Sequence, residues 1–475
     1  MDRPPRIPLP AINTGFGQGS FDRAKPEVAF YFDIVCPYAY FASRQLPALC
    51  ERLGARIDYR PILLGGVLKA RGSEPMGGAP VRKAMTFRDI GRWADFLKLP
   101  VSIPAQHPRR TVEAMRLLCW APRLGWPALI DALYRAYWVD GQDVSDIGVL
   151  RNIAAQVGLG PDAAERGIHS PQVAGDLRRR TDEALADGVF GVPSFVVDSH
   201  SGPRLFFGQD RLHFVEEALL HHPLSASQTS LDPRGKTASP QPLHAPPFVG
   251  PPVENQARTL VFFYDFSSPY AYLAATQIGP LSKHCGARVD FRPILLGGLF
   301  RSIGTPMVPL ESYSDAKQRF VREDLARWAR YYDEPFHFQS RFPIQTVTAL
   351  RLAILAGDGE SDARQKLSMA LFRCCWAQDE DINDPTVLAR VLTEVGLPTE
   401  LLSRCSEPAV KEQLRQNTDE AEQLGVFGVP TFQVATPTGP QLFFGQDRLH
   451  FVEAALRPQR YPLLNPLRTS EPAHG

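Results

Sequence analysis

The chain has 475 residues, too many for one hydrophobic core, so its length favours two or more domains. Its 52 lysines and arginines nearly balance 51 aspartates and glutamates, and 44% of its residues are hydrophobic. This composition argues against a nucleic-acid partner, a membrane-embedded chain and general disorder. Seven cysteines without a CxxC pair fit neither a zinc ribbon nor a secreted disulfide framework, and they favour reduced thiols.

The chain begins with a segment, residues 1–26, that mixes Pro, Gly, Arg and Asp. It contains no apolar stretch that would form the core of a signal peptide. We predict a disordered N-terminal segment and a cytoplasmic protein.

A strand, a turn and a helix come next. β-formers from Val28 to Asp33 lead through a proline into an amphipathic stretch, Tyr38 to Leu53. The apolar run Arg56 to Leu64 predicts a parallel strand reached by that helical crossover. Residues 82–187 carry helical spacing without strand alternation, which predicts an all-helical insertion. The segments FVV and LFF then predict two strands, and GQDRLHFVEEAL predicts a final helix that ends a domain spanning 27–220.

The second half repeats this order. RPILLGG, PYAY, GVFGVP and LFFGQDRLHFVE recur at matching positions, and a period this long indicates a duplicated domain rather than a solenoid. Residues 221–257 are rich in Pro and Ser and predict a semi-extended linker. A second domain is predicted over 258–459, followed by a tail over 460–475. Its predicted elements are a strand Leu260 to Asp265, a helix Tyr270 to His284, a strand Arg288 to Leu296 and a helical insertion 315–424.

A βαβ unit, a helical insertion and a Val-Pro before a ββα unit form the layout of the DsbA-like thioredoxin fold. The segments FYFDIVCPYAYFA and FFYDFSSPYAYLA, the LLGG turn, the RWA helix, FGVP and FFGQDRL resemble 2-hydroxychromene-2-carboxylate isomerases and the related kappa-class glutathione transferases. The resemblance implies an α/β fold class, with two tandem thioredoxin-like domains that each carry an all-helical insertion. It also implies glutathione as the cosubstrate.

The position before the helix-opening proline is Cys36 in the first copy and Ser268 in the second. Free N–H groups and the helix dipole favour an anion there, although a Ser at this position commonly only caps its helix. In the family a Ser donates its hydroxyl to the sulfur of glutathione, so the resemblance implies that Ser268 is catalytic. Cys36 departs from this pattern and is an S–H donor, a low-pKa nucleophile or an ordinary buried cysteine. Because Ala39 replaces a resolving cysteine, a two-cysteine cycle is excluded, whereas a mixed disulfide with glutathione is not.

One Val-Pro pair precedes the third strand of each domain: Val192-Pro193 in the first and Val429-Pro430 in the second. Most X-Pro bonds are trans, so a trans proline at a strand start is the plain interpretation. The resemblance instead implies a cis proline, with the valine backbone pairing with the cysteinyl part of glutathione.

The GQDRL segment supplies Asp210 and Asp447, which on their own read as helix caps. The resemblance implies that these acids receive the γ-glutamyl ammonium group of glutathione and that Gln209 and Gln446 lie beside its carboxylate. A carboxylate beside helix N–H groups suits such a zwitterion.

The basic residues Arg82 and Lys317 precede the two RWA segments. The resemblance implies that they meet the glycyl carboxylate of glutathione or a carboxylate of the substrate, and a solvated helix charge is the alternative. Ser73 and Thr305 occupy positions where related transferases carry Asn, so they are weaker candidates for glutathione contacts.

The substrate side of the pattern is incomplete. Arg110-Thr111 and Gln345-Thr346 stand where the family has Asn before Thr, which puts the chromene substrate itself in doubt. The scattered histidines, including the linker pair His221-His222, predict no metal site.

The resemblance implies a glutathione-dependent isomerase that acts on 2-hydroxychromene-2-carboxylate or a related aromatic-catabolic acid by reversible thiolate addition. The alternatives are a transferase that conjugates electrophiles, a single-cysteine thiol-disulfide oxidoreductase using Cys36, and a non-catalytic glutathione-binding scaffold. We expect a small aromatic or electrophilic substrate and consider an intramolecular pseudo-dimer of the two copies. Ser268 cannot ionise near neutral pH whereas a helix-capped Cys36 can, so we expect the second copy to carry most isomerase activity.

Overall fold

A computed structural model of the chain describes residues 25–73, 80–200, 202–222, 224, 258–437 and 439–457. Nearly all of the predicted N-terminal segment, most of the linker and the whole C-terminal tail lie outside these residues. The predictions made for those three segments therefore stay predictions.

The first copy is built on a four-stranded sheet of order β2-β1-β3-β4. β1 is parallel to β2 and antiparallel to β3, and β3 is antiparallel to β4. The parallel pair requires a crossover, which the helix α1 (Pro37–Leu53) supplies as predicted. The strands are β1 Glu27–Phe32, β2 Arg56–Pro61, β3 Ser194–Ser199 and β4 Gly202–Phe207.

The second copy repeats this sheet with the order β6-β5-β7-β8 and the same strand directions. Phe262 lies between Phe291 and Phe432 in register, as Phe30 lies between its neighbours in the first sheet. The strands are β5 Thr259–Tyr264, β6 Arg288–Pro293, β7 Thr431–Thr436 and β8 Gly439–Phe444.

Between the second and third strand of each sheet the described residues form helices and loops only, which confirms the predicted helical insertions. The further helices of the first copy are α2 Leu64–Ala70, α3 Pro80–Leu97, α4 Val112–Trp120, α5 Trp126–Trp138, α6 Ile147–Gln156, α7 Pro161–Ile168, α8 Pro171–Ala186 and α9 Leu212–Leu220. Those of the second copy are α10 Pro269–Cys285, α11 Leu296–Ser302, α12 Asp315–Tyr331, α13 Val347–Leu355, α14 Asp362–Trp376, α15 Pro385–Glu394, α16 Leu401–Arg404, α17 Pro408–Leu424 and α18 Leu449–Leu456. Within the described part of the chain, no helix is both long and apolar enough to span a bilayer.

The strands predicted to reach Leu64 and Leu296 end earlier, at Pro61 and Pro293. The chain leaves the ladder soon after each proline, because the Asp33 and Asp265 carboxylates bind the Leu64 and Leu296 N–H groups instead of a neighbouring strand. The LLGG segment that follows opens the short helices α2 and α11 instead. The GQDR segment also differs slightly from the prediction, because it forms a 3-10 turn before the final helix of each copy.

Each helical insertion is tied to the turn that joins the first strand to the first helix. Trp138 in α5 donates its indole N–H to the carbonyl of Ile34, at 2.8 Å. Trp376 in α14 makes the same hydrogen bond to Phe266, at 2.7 Å. Because both tryptophans are fully buried, these bonds fix the turn that carries Cys36 or Ser268 against the insertion.

The two copies pack against each other through α3 and α12. Trp93 in α3 lies with its ring centroid 5.1 Å from that of Phe451 in α18. Trp328 in α12 lies 5.2 Å from Phe214 in α9. The insertion helix of each copy therefore contacts the final helix of the other copy, with matching aromatic pairs on both sides.

Cation–π contacts extend this packing to the edge strands of the sheets. The Arg92 guanidinium in α3 lies 4.0 Å from the ring centroid of Phe443, and Arg327 in α12 lies 4.6 Å from that of Phe206. Burial lowers the pKa of Arg92 to about 10, although the Asp89 carboxylate raises it. The arginines of the RWA segments thus lie in the contact between the copies.

Candidate functional site

The turn that opens the first helix of each copy faces the Val-Pro loop that precedes the third strand. Cys36 Sγ donates a hydrogen bond to the carbonyl oxygen of Val192, at 3.2 Å, and Ser268 Oγ donates one to that of Val429, at 3.1 Å. The peptide bonds of Val192-Pro193 and Val429-Pro430 are cis, which confirms the prediction. We call the surroundings of Cys36 the first site and those of Ser268 the second site.

Ser268 performs two tasks in the second site. As the N-cap of α10, its Oγ accepts a hydrogen bond from the Ala271 N–H, at 3.2 Å, so the capping role considered from the sequence is present. The same hydroxyl directs its one proton at Val429. A hydroxyl has two acceptor positions and one donor that rotates, so Ser268 can keep its cap while donating to a ligand.

Cys36 has the same backbone conformation but makes no capping hydrogen bond. Burial raises the pKa of its thiol to about 12, although the N–H groups of Ala39 and Tyr38 at the helix N-terminus lower it. Desolvation thus outweighs the helix N-terminus, and the thiol stays neutral at neutral pH. Of the three roles considered from the sequence, this environment favours an S–H donor or an ordinary buried cysteine over a low-pKa nucleophile.

An aspartate in each copy, which was not singled out from the sequence, holds the site together. Asp33 is fully buried and accepts hydrogen bonds from Leu64 N, at 2.9 Å, and Thr111 Oγ1, at 2.7 Å. Asp265 does the same in the second copy, with Thr346 Oγ1 at 2.7 Å. Burial raises the pKa of both carboxyl groups. The sequence signal for these residues was an aspartate at the same position in both copies, three residues before Cys36 and Ser268.

Asp210 and Asp447 are each bound by an arginine of the opposite copy, which links the two sites. Arg448 Nη1 donates to Asp210 Oδ2, at 2.7 Å, and Arg211 Nη1 donates to Asp447 Oδ2, at 2.8 Å. Burial would raise the pKa of Asp210, but the Arg211 and Arg448 guanidinium groups lower it to about 2. The carboxylate is therefore ionised and already paired.

The insertion helices complete this network. Arg211 Nε lies 3.1 Å from Asp324 Oδ1 in α12, and Arg448 Nε lies 2.8 Å from Asp89 Oδ1 in α3. All of these side chains are buried or nearly so. The arginine of each GQDR segment thus joins the acid of one GQDR segment and the acid of one insertion helix, both in the opposite copy.

The glutamines of the GQDR segments carry donors that are not used within the described residues. Gln209 accepts a hydrogen bond from Gln45, at 2.9 Å, while its own Nε2 is buried without a partner in the part of the chain that the structure describes. Gln446 Nε2 is likewise buried without a described partner. A buried donor left unpaired costs about 1–3 kcal/mol, so these amides suit a ligand acceptor.

Arg82 and Lys317 approach each other from different copies. The Arg82 guanidinium lies 5.4 Å from the ring centroid of Phe427 in the second copy, and Lys317 Nζ lies 3.5 Å from that of Tyr313. Burial and the nearby charge of Arg82 lower the pKa of Lys317 to about 8. The two cations are therefore half-buried at the contact between the copies rather than solvated on separate helices.

The weaker candidates stand apart from these contacts. Ser73 and Thr305 donate their backbone N–H groups to Leu68 and Phe300, at 2.9 and 2.8 Å, just beyond α2 and α11. Arg110 forms an exposed ion pair with Glu113, at 2.8 Å. Among the residues that the structure describes, no group of three or more His, Cys, Asp or Glu is placed to hold a metal ion.

Comparison with known proteins finds a family model that matches both copies and relatives that cover about the length of one copy. The DSBA-like thioredoxin domain matches residues 27–220 and 259–457. The 2-hydroxychromene-2-carboxylate isomerase of Sphingobium xenophagum is 34% identical over 195 residues, which are 41% of this chain and 97% of the relative. Glutathione S-transferase kappa 1 of Homo sapiens is 25% identical over 204 residues, which are 41% of this chain and 89% of the relative. A solved structure of 2-hydroxychromene-2-carboxylate isomerase aligns with a TM-score of 0.37 and 25% identity over 41% of this chain and 94% of that one.

Proposed function

The chain belongs to the DSBA-like thioredoxin family of 2-hydroxychromene-2-carboxylate isomerases and kappa-class glutathione transferases and carries its domain twice, and we propose that it is a glutathione-dependent isomerase. Its proposed substrate is 2-hydroxychromene-2-carboxylate or a related aromatic-catabolic acid. The observation that carries the proposal is the Ser268 hydroxyl, which is held at the N-terminus of α10 and 3.1 Å from the Val429 carbonyl.

Glutathione, when bound, would supply the thiolate that adds to an activated carbon–carbon double bond and is later eliminated. The ring C–O bond of the chromene would have to open for the trans product to form, and glutathione would leave the reaction unconsumed. Ser268 would donate its hydroxyl proton to the sulfur, and the free N–H groups of the first turn of α10 would add to this stabilisation. In the first site Cys36 would donate its S–H, because burial raises the pKa of its thiol.

The ends of glutathione fit groups that the described residues leave available. The unpaired Nε2 atoms of Gln209 and Gln446 would donate to the γ-glutamyl carboxylate. The ammonium group would donate to Asp210 and Asp447, whose carboxylates would accept it in addition to the arginines that already bind them. Such sharing is reasonable because a carboxylate has about four lone-pair positions.

The backbones of Val192 and Val429, beside Pro193 and Pro430, would meet the cysteinyl part of glutathione. Arg82 and Lys317 would bind its glycyl carboxylate or a carboxylate of the substrate, with weaker roles for Ser73 and Thr305. The matching contacts of α3 and α12 support a pseudo-dimer of the two copies. The seven free cysteines support a cytoplasmic location.

A glutathione transferase that conjugates electrophiles is the second candidate, supported by the kappa-class relatives. The two reactions differ in what becomes of glutathione. We would incubate the full-length protein with glutathione and the chromene carboxylate, then measure both isomers and free glutathione by liquid chromatography. Isomerisation leaves glutathione constant, conjugation consumes it, and disulfide reduction oxidises it. Loss of glutathione without an isomerised product would overturn the proposal.

A further inference from the structure

A histidine and a tyrosine in the first helical insertion form a hydrogen-bonded pair. His107 Nδ1 lies 2.9 Å from the hydroxyl oxygen of Tyr137, and the Arg109 backbone N–H donates to the same oxygen, also at 2.9 Å. Tyr137 is fully buried, and its hydroxyl makes no other hydrogen bond to the residues that the structure describes. If His107 also donated to this oxygen, the tyrosine proton would be buried without an acceptor, which is costly.

The direction of these bonds decides which nitrogen of His107 carries the proton. Tyr137 accepts from Arg109 and donates its own proton to Nδ1, so the imidazole hydrogen lies on Nε2. Burial and the nearby charge of Lys83 lower the pKa of His107 to about 4, so the ring is neutral at neutral pH. His107 is half-buried, and its Nε2–H makes no hydrogen bond within the described part of the chain. This donor remains available for a ligand.

Two neighbours connect His107 with the turn of the first site. The His107 ring centroid lies 5.0 Å from that of Trp138, and the Trp138 indole N–H binds the Ile34 carbonyl in this turn. Four residues after His107, on the same loop between α3 and α4, Thr111 donates to the Asp33 carboxylate at 2.7 Å. His107 is therefore separated from the turn by one buried side chain.

A cation accompanies this donor. Lys83 in α3 lies with its Nζ 5.8 Å from the ring centroid of Phe87, and the same ring lies 6.5 Å from the His107 ring. The preceding residue, Arg82, contacts Phe427 of the other copy, whereas Lys83 lies over a ring of its own copy. Lys83 forms no ion pair with a described acid. A neutral N–H donor beside a lysine without an acidic partner suits a carboxylate.

The second copy does without the polar pair. Alignment on the threonine that binds the buried aspartate and on the buried tryptophan of each insertion places Phe342 opposite His107 and Cys375 opposite Tyr137. Phe342 packs against Phe338, with the ring centroids 5.3 Å apart. The same insertion therefore folds with apolar side chains at these positions, so the fold itself does not require the histidine.

We propose that the His107 Nε2–H, together with Lys83, binds a carboxylate of a ligand of the first site. The proposal rests on the proposed function, which supplies two such carboxylates: that of the acidic substrate and that of the glycyl end of glutathione. A hydrogen bond to a charged acceptor is stronger than one between neutral groups. The second site, with Phe342 at this position, would bind its ligands without this contact.

The proton position is tested first, by nuclear magnetic resonance on the full-length protein with ¹⁵N-labelled histidine. The variant His107→Phe identifies the His107 signals by their absence. At neutral pH, Nε2 should be protonated and Nδ1 unprotonated. Tyr137→Phe, which removes the hydroxyl but keeps the ring, should allow the Nδ1–H form to appear. An unaltered protein with the His107 proton on Nδ1 would overturn the proposal.

Two pairs of inert probes then identify the carboxylate. Chromone-2-carboxylate and its amide represent the substrate, and both are added with S-methylglutathione so that no thiol can react. S-methylglutathione and its glycyl amide represent the cosubstrate. The His107 Nε2 signal locates binding in the unaltered protein, and isothermal titration gives the affinities. In at least one pair, His107→Phe should weaken binding of the acid roughly tenfold and leave that of the amide unchanged.

Matched variants separate recognition from packing. His107→Gln keeps an N–H donor and should recover most of the lost affinity, whereas Phe342→Leu in the second copy should leave every affinity unchanged. Circular dichroism checks that each variant is folded. If His107→Phe changes the acid and the amide of both pairs equally, or changes neither, His107 only packs and the proposal is overturned while isomerisation by the full-length protein stands. If no probe binds the unaltered protein, the proposed function fails, and this proposal fails with it.

Discussion

The position before the proline that opens the first helix carries a thiol in the first copy and a hydroxyl in the second. The two groups donate to equivalent valine carbonyls over nearly equal distances, 3.2 Å for Cys36 and 3.1 Å for Ser268. Only Ser268 also caps its helix. The fold therefore preserves the direction of one donated proton while the reactive atom, its second hydrogen bond and its acidity change.

The surroundings of these two atoms differ in how strictly they are repeated. The arginines of the GQDR segments bind equivalent acids on both sides, whereas Phe320 contacts Phe190 on one side and the Arg82 guanidinium contacts Phe427 on the other. Burying charge requires a fully matched set of partners, which limits divergence there. Apolar and half-exposed positions carry no such requirement, so the copies differ at these positions.

The largest effect is expected from breaking the part that the copies share. Arg211→Met leaves the fully buried Asp324 without its guanidinium, and Arg448→Met does the same to Asp89, while Asp447 and Asp210 each lose one of two arginines. Each variant should lower the free energy of unfolding by roughly 3–5 kcal/mol, the usual result of removing one partner of a buried ion pair. Urea unfolding followed by circular dichroism measures the loss.

Arg135→Met removes an exposed arginine near Asp140 and should change the unfolding free energy little. If the two buried variants differed greatly from each other, the halves of the network would not be equivalent.

A second test acts on the donor that distinguishes the sites. Ser268→Ala should lower the rate of isomerisation by about 100- to 1000-fold, equivalent to roughly 3 kcal/mol, because a single donor to a developing charge acts mainly in the transition state. Glutathione affinity, measured by calorimetry, should fall much less. Cys36→Ala, the same deletion in the first copy, should leave most activity intact. Equal losses in both variants would contradict the leading role of the second copy.

The basic residues allow a comparison by pH. The pKa of Lys317 is lowered from its ordinary 10.5 to about 8 by burial and by Arg82, so the folded protein binds fewer protons than the unfolded chain between these values. Stability should rise as pH increases through this window. Lys317→Met should abolish that rise and stabilise the protein below about pH 8, by on the order of 1 kcal/mol after solvent screening.

Thermal unfolding as a function of pH checks this result. Arg82→Met is the matched variant. Because arginine stays charged throughout this pH range, its removal should bring the pKa of Lys317 closer to its ordinary value. The pH range over which stability rises should therefore become narrower, but the rise should remain. A stability profile for Lys317→Met that keeps the same rise would show that another group causes it.

The smallest effect concerns the cap that the first copy lacks. Cys36→Ser should supply the hydrogen bond that Ser268 makes and stabilise the protein by roughly 0.5–1 kcal/mol, measured by chemical unfolding. In a Ser268→Ala background, the same change should restore part of the isomerase activity from the first site. If Cys36→Ser instead slows the reaction there, the thiol has a role of its own.

The fold was largely predictable because its signals are local or repeated. Alternating β-formers, a proline at the helix start and a Pro-terminated strand each act within a few residues, and the duplication allowed each half to check the other. The strand predicted to reach Leu64 was wrong because an apolar run does not distinguish a strand from a short helix whose N–H is bound by a distant carboxylate, here Asp33.

The site was predictable only in part. Cys36 and Ser268 were identified by motif and face their valine carbonyls, but the acidity of Cys36 depends on desolvation, which requires the packed structure. Besides the neighbouring Arg211, the partner of Asp210 is Arg448, in the opposite copy. Nothing in the sequence pairs two residues so far apart, because that pairing arises only when the domains dock.

The helices α3 and α12 each pack against the opposite copy, and this affects how the sequence of the protein can evolve. In a symmetric homodimer one codon specifies both sides of an interface, so every substitution appears twice. Here the equivalent positions Met85 and Phe320 are encoded separately on one chain. A mutation in α12 can therefore change the surface that faces the first copy while α3 keeps the surface that faces the second, so the two sides of the contact can be selected separately.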